Sequence, residues 1–376
     1  MKKERTSLLQ HDGFQTLLSS LMCILGGLIV GYLVLLIIEP KGAFEAITAV
    51  MKSFFRFTGK ARLKYFGQAL VRTAPLLLCS LSVLFAYKVG MFNIGVAGQY
   101  VAGACGCLYA ALAWKLHWLP CLLIGMAAAA LLGAIAGILK TKANVNIVIS
   151  GIMLNWIALY LTNLILGKVK SPMSPFTLSL MGTNPKGKLP GLGLEKLFAN
   201  ERSVTIAIPL ALLVAVIVWV VLNKTKFGYE LKATGHNYHA AKYAGMKEDR
   251  NIILTMVISA ALAGLGAGLL FLSGIEEWET TISSVPAMGF NGIAVAFLGG
   301  LSPIGSILSA FFIQYITFGG GNVDLQVYCA QISSLISSLI IYLCAFVAFF
   351  KFFLQAYLRK RKEKRDALLQ KGGEER

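Results

Sequence analysis

Among the carboxamides inside long apolar runs of this sequence, Asn93, Gln99, Asn155 and Asn291 fall in Gly- or aromatic-containing motifs. An amide donates and accepts at once, so it suits the recognition of a polar, uncharged molecule better than bond making. In hydrocarbon each amide is costly until it finds partners. Phe92 and Trp156 adjoin two of them and offer ring faces for stacking. Asn93 and Gln99 are six residues apart. On a continuous helix that is ~9 Å of rise and about 120° of rotation, so the two would not share a face. Gly90, Gly95 and Gly98 offer a way to break the helix. Two readings of these amides stand open: they line a path through a discontinuous helix, or they tie neighbouring helices together. Asn155 and Trp156 divide similarly, between an amide and ring offered to a ligand and a tryptophan packed in the core.

Residues that make and break bonds are missing. The chain has no G-x-x-x-x-G-K-[ST] phosphate loop, so it does not hydrolyse ATP itself. It has no His-Glu-x-x-His and no paired Cys-x-x-Cys, and Cys105 and Cys107 are too close and too apolar for a zinc site. His236 and His239 could share a helix face, but no third ligand stands nearby; they read as solvated or partner-contacting residues. The seven cysteines lie in apolar stretches and read as small buried hydrophobes. The chain is expected not to be an enzyme, with no metal and no cofactor of its own.

The elements that must position the amides are membrane spans. The composition is 57% hydrophobic and 14% charged, too few charges to cover soluble domains. Ten spans are predicted, at 16–38, 70–87, 91–113, 119–139, 146–167, 203–222, 251–273, 286–300, 303–319 and 327–350. The second, eighth and ninth are short, as broken or re-entrant helices beside a path are. No Asp or Glu falls in them; Glu276, Glu277, Glu279 and Asp324 fall in outer loops. That counts against a stand-alone proton- or sodium-coupled carrier, the reading from another functional class. Pairs of glycines four apart, such as Gly133 and Gly137 or Gly264 and Gly268, suit close helix crossing.

The formal charge of +18 follows the positive-inside bias rather than nucleic-acid binding, since the basic blocks flank apolar runs. With both termini cytoplasmic, inner segments hold 21 Lys and Arg and outer segments 13. Residues 1–350 are read as one transmembrane domain with lipid as its solvent. Residues 223–250 form its inner loop, and 351–376 a basic cytoplasmic tail. Around Ala43 to Phe57 the chain is amphipathic and suits the membrane surface. Residues 233–244 are expected to form one short helix ended by Gly245.

Three blocks together carry a resemblance: FNIGVAGQ at 92–99, NIVISGIMLNWIA at 146–158 and MGFNGIAVAFLGGLSPIG at 288–305. With ALVRTAPLLL at 69–78 and LKATGHNYHAAKYAG at 231–245, they resemble, in matching order over roughly 65–350, permease subunits of bacterial ABC importers for nucleosides and simple sugars, relatives of the branched-chain amino-acid permeases. The resemblance implies an all-α, polytopic helical bundle of the type II importer kind in the cell membrane. It implies an ABC ATPase that uses the ATP, a second and different permease, and an extracellular substrate-binding lipoprotein. It makes Phe92, Asn93, Gln99, Asn155, Trp156 and Asn291 the expected substrate path, for a nucleoside or alternatively a simple sugar. In the inner loop Gly235 and Gly245 would bracket a coupling helix whose Ala240, Ala241 and Ala244 form a small-residue docking face. Two departures each remove a carboxylate: Ala97 stands where the family commonly has Glu, and Asn291 where Asp is common.

Overall fold

A computed structural model describes residues 12–169, 176–180 and 182–323, with individual positions between 328 and 360. The predicted tenth span, 327–350, and the basic tail therefore lie largely outside the described residues. Seven described helices are long and apolar enough to cross a membrane. They are α1 (Asp12–Ile38), α3 (Gly59–Tyr87), α5 (Trp118–Lys142), α6 (Ile147–Leu166), α8 (Ala207–Lys224), α11 (Glu248–Phe271) and α13 (Pro303–Gly320). Two apolar helices are shorter, α4 (Val96–Leu112) and α12 (Ala287–Leu298). Between α1 and α3 the amphipathic stretch forms α2 (Ala43–Lys52) and a 3-10 turn, Ser53–Arg56.

The central element is α3. The sequence pattern makes it a short span from residue 70, but it runs for 29 residues. Lys60, Arg62 and Lys64 hide its first turns from a hydropathy count, because they lie beyond the apolar part. From Thr73 to Ala86 every residue is buried, so α3 meets protein on all sides, with α4, α8, α11, α12 and α13 around it. The predicted start of the third span at 91 is also corrected: residues 91–95 are not helical, and α4 begins at Val96.

Glycines let the inner helices approach. Gly264 of α11 lies against Gly103 of α4 and Gly125 of α5, and a Cβ on Gly103 would come within 2.4 Å of the Gly264 Cα. Gly133 and Gly137 of α5 likewise abut Met256 and Ile253 of α11.

Contacts sort the connections into two faces. On one, Gly90 touches Gly235, Lys142 pairs with Asp249 at 3.6 Å, and Asn251 Nδ2 donates to Thr234 Oγ1 at 2.8 Å. On the other, the Ser53 hydroxyl donates to the Tyr315 carbonyl and Asn184 Nδ2 donates to the carbonyls of Ala111 and Leu116. There too β1 (Thr177–Leu178) pairs antiparallel with β2 (Trp278–Glu279), Thr177 opposite Glu279. The first face carries α9 (Lys226–His236) and α10 (Tyr238–Tyr243). The second includes the four-residue α7 (Leu194–Leu197).

Candidate functional site

The non-helical turn at 91–95 gives Asn93 and Gln99 the geometry that a regular helix denies them. Asn93 Nδ2 donates to Gln99 Oε1 at 2.8 Å, and Gln99 Nε2 donates back to Asn93 Oδ1 at 3.3 Å. Asn93 Nδ2 also donates to Ser259 Oγ of α11 at 2.8 Å. Ser259 in turn donates to the Ser82 carbonyl of α3 at 2.9 Å and lies 2.9 Å from the Ser82 hydroxyl. All four side chains are buried. Each amide thus answers the other, which removes most of the cost of burying them.

Asn155 of α6 does a second job. Its Oδ1 accepts from the Gly98 N–H at 2.7 Å and its Nδ2 donates to the Ile94 carbonyl at 3.2 Å. Gly98 lies in the first turn of α4, where backbone N–H groups lack helical partners. Asn155 therefore caps α4 from a neighbouring helix. Gly98 allows this, since a Cβ there would lie 2.6 Å from the Asn155 Cα.

The remaining expected path residues separate. Trp156 points away from Asn155; it is 43% exposed and stacks with Tyr160 at 6.1 Å on the outer face of α6. Consecutive residues on a helix diverge by about 100°, so a buried Asn155 sends its neighbour outward. Trp156 neither joins the amides nor packs in the core. Phe92 is half-buried, its ring 6.3 Å from that of Phe297. Asn291 is half-buried on α12, and among the described residues its amide has no hydrogen-bond partner. Helix α12 reaches the cluster through glycines, Gly289 against Ala97 and Gly292 against Cys79. Ala97 is fully buried there, against Gly289.

The inner loop is also rearranged. One helix over 233–244 is replaced by α9 and α10, because Asn237 interrupts the run and caps α10, its Oδ1 accepting from the Ala240 N–H at 3.0 Å. His236 and His239 consequently fall on different helices, both exposed. Gly235 does not bracket a docking helix. It lies within α9, pressed on the turn after α3, and a Cβ there would come within 2.2 Å of the Val89 carbonyl. Gly245 does end α10, with a positive φ of 77°. Ala241 is buried, while Ala240, Ala244 and Tyr243 are exposed. Beside them runs an open groove of about 790 Å³, bordered by Tyr87, Lys88, Tyr229, Lys232 and Ala240.

Sequence reasoning missed a charged stripe on α3. Lys64, Gln68 and Arg72 recur every four residues, one face of a helix. Glu201 accepts from Gln68 at 3.1 Å and pairs with Lys64 at 3.6 Å, and Arg72 pairs with Glu276 at 3.3 Å. The signal was Arg72 itself, since a charge within an apolar span requires a partner.

Residues 65–345 match the family described as branched-chain amino acid transport system / permease component. The chain belongs to that family. Among its relatives, the guanosine ABC transporter permease protein NupP of Bacillus subtilis (strain 168) is 34% identical, covering 82% of this chain and 87% of that one. The nucleoside ABC transporter permease protein NupB of Lactococcus lactis subsp. cremoris (strain MG1363) is 32% identical, over 78% and 81%. The glucose ABC transporter permease protein TsgB13 of Haloferax volcanii is 30% identical, over 69% and 70%. The chain is thus a multi-pass ABC transporter permease subunit, embedded in the membrane, and not itself an enzyme. Membership agrees with the all-α helical architecture.

Proposed function

We propose that this permease moves nucleosides into a bacterial cell, driven by a separate ABC ATPase. The observation that carries the reading is likeness along most of both chains to permeases named for guanosine and nucleosides. The buried site agrees in character: Asn93, Gln99 and Asn155 carry no formal charge and match the donors and acceptors of a nucleobase or ribose. A substrate group would replace bonds that Asn93, Gln99 and Ser259 give one another, while Asn291 and Phe92 would meet it from the α12 side. Trp156, on the far face of α6, is set aside from this path. A glucose substrate is the second reading, supported by the likeness to TsgB13 and served by the same amides.

The assembly completing the importer would hold a second, different permease and an extracellular substrate-binding lipoprotein. Both termini would be cytoplasmic, placing α9 and α10 inside. There α10, with Ala240, Ala244 and Gly245 exposed, would seat on the ATPase; Ala241 and Gly235 would hold the segment against the bundle. Labelled nucleosides and glucose offered to a deletion strain, with and without the gene restored, test the substrate. Restored uptake of nucleosides but not glucose is the expected result; glucose alone would transfer the assignment to sugars.

A further inference from the structure

Arg72 lies thirteen residues into α3, about 20 Å along its axis. Val71 and Thr73 beside it are buried. A charge at the start of the buried stretch of α3 persists only where water or a counter-ion meets it. Both conditions hold: the Arg72 and Glu276 side chains are 39% and 42% exposed, and their charged groups are 3.3 Å apart. Tyr100 of α4, 1% exposed, has its ring 6.2 Å from that of Phe271, the last residue of α11 before this loop. Ser82, further along α3, and Ser259 of α11 belong to the amide cluster, so the pair ties together the outer ends of two helices that hold it.

We propose that the Arg72–Glu276 pair is the outer closure of the substrate path, a releasable latch between α3 and the loop after α11. The inference rests on the transport reading above. Three further observations support it. First, the neighbouring carboxylate is built differently. Glu201 is held by Lys64, by Gln68 and by both the N–H and the hydroxyl of Ser203, with only 12% of its side chain exposed. Among the described residues Glu276 has the single partner Arg72. One is a fixed clasp and the other a single bond reached by water. Second, the loop can turn at one side. Gly274 has φ 74°, whereas from Trp278 the chain is anchored through β2 and through Asn163, which accepts from Trp278 Nε1 and donates to the Ile282 carbonyl. Third, the two helices bearing the latch both begin or end at the inner loop. Helix α3 ends in the turn that rests on Gly235. Helix α11 begins with Glu248, paired with Lys242 of α10 at 3.6 Å. A displacement of α9 and α10 therefore reaches Arg72 along α3 and the base of the Glu276 loop along α11.

Arg72 and Glu276 act here as positioning residues. The test uses the complete transporter in membrane vesicles, in a chain whose seven native cysteines are replaced. Arg72→Cys with Glu276→Cys is treated with a short bifunctional methanethiosulfonate. Cross-linking should lower uptake by about tenfold or more, and reductant should restore it; a tenfold change corresponds to ~1.4 kcal/mol. Single-cysteine controls should lose no further uptake when treated with the same reagent. Charge exchange gives an independent arm: Arg72→Glu or Glu276→Arg alone should impair uptake, and the double exchange should recover most of it. Normal uptake by the cross-linked protein, or no recovery in the double exchange, would overturn the latch. Should uncross-linked protein move neither nucleosides nor glucose, the substrate reading fails instead. The latch is then judged by a thiol assay, in which Glu276→Gln, but not Glu201→Gln, must speed labelling of Cys79 from outside in a chain keeping only that cysteine.

Discussion

The two polar regions of the bundle solve burial in opposite ways. Around Asn93, Gln99 and Asn155 every group is uncharged, buried and matched with another protein group. Along Lys64, Gln68 and Arg72 the groups are mostly charged and partly open to water. An amide pair loses little on leaving water if its bonds are replaced, whereas an ion pair pays a desolvation penalty that attraction often fails to return. Depth thus selects the chemistry: closed amide networks inside, hydrated ion pairs toward the surface.

The sharpest way to break the inner region is Gly98→Val. Its side chain would occupy the space of the Asn155 backbone, so loss of folded, monodisperse protein is expected, at a cost of about 3 kcal/mol or more. Wild-type thermal stability in detergent would contradict the cap. Next come Asn93→Ala and Gln99→Ala. Each strands its partner, at about 1–3 kcal/mol, yet the double variant should cost much less than the sum. Additive losses in a double-mutant cycle would mean that the amides act separately.

The outer region is sharpened by acid. Burial raises the Glu276 carboxyl above the usual range, against the pull of Arg72. Burial also acts on Glu201, but bonds from Ser203 and Gln68 and the charge of Lys64 outweigh it and hold it lower. As pH falls, Glu276 should therefore protonate first and release Arg72, its facing cation; Lys188 also reaches this loop, its Cε 4.0 Å from a Cβ placed on Gly274. The stabilising effect of ionised Glu201 is present above the ordinary carboxylate pKa and is lost only as pH falls through its lowered value. Infrared difference spectra of Glu276→Gln and Glu201→Gln can assign the two protonations; the reverse order would undo the contrast between latch and clasp. The smallest perturbation tests sidedness. Ser179 is a poor reporter because it is buried, but Leu192 is 79% exposed. Leu192→Cys should react with an impermeant thiol reagent from outside and Asn237→Cys only from inside, with uptake unchanged in the former.

Much of the fold was legible because hydrocarbon imposes a simple demand, about twenty apolar residues per crossing. That located α1, α5, α6, α8 and α11 nearly to their ends. It shortened α3, where charged first turns extend the helix past its apolar part. The amides were visible as anomalies in apolar runs, and their motifs resembled the right family. Their partners were not visible: Asn93 with Ser259 are 166 residues apart and Arg72 with Glu276 are 204.

The sequence by itself determined that the chain spans a membrane, which family it belongs to, and that its predicted spans hold amides but no carboxylate. Those properties reside in composition, local periodicity and ordered motifs. Only the tertiary structure decided that Asn155 turns inward while Trp156 turns out, that Gly235 packs against the bundle rather than docking, and that Arg72 meets Glu276. Each of those depends on which helix lies opposite, and burial forces a polar group to satisfy whatever packing brings within about 3 Å of it.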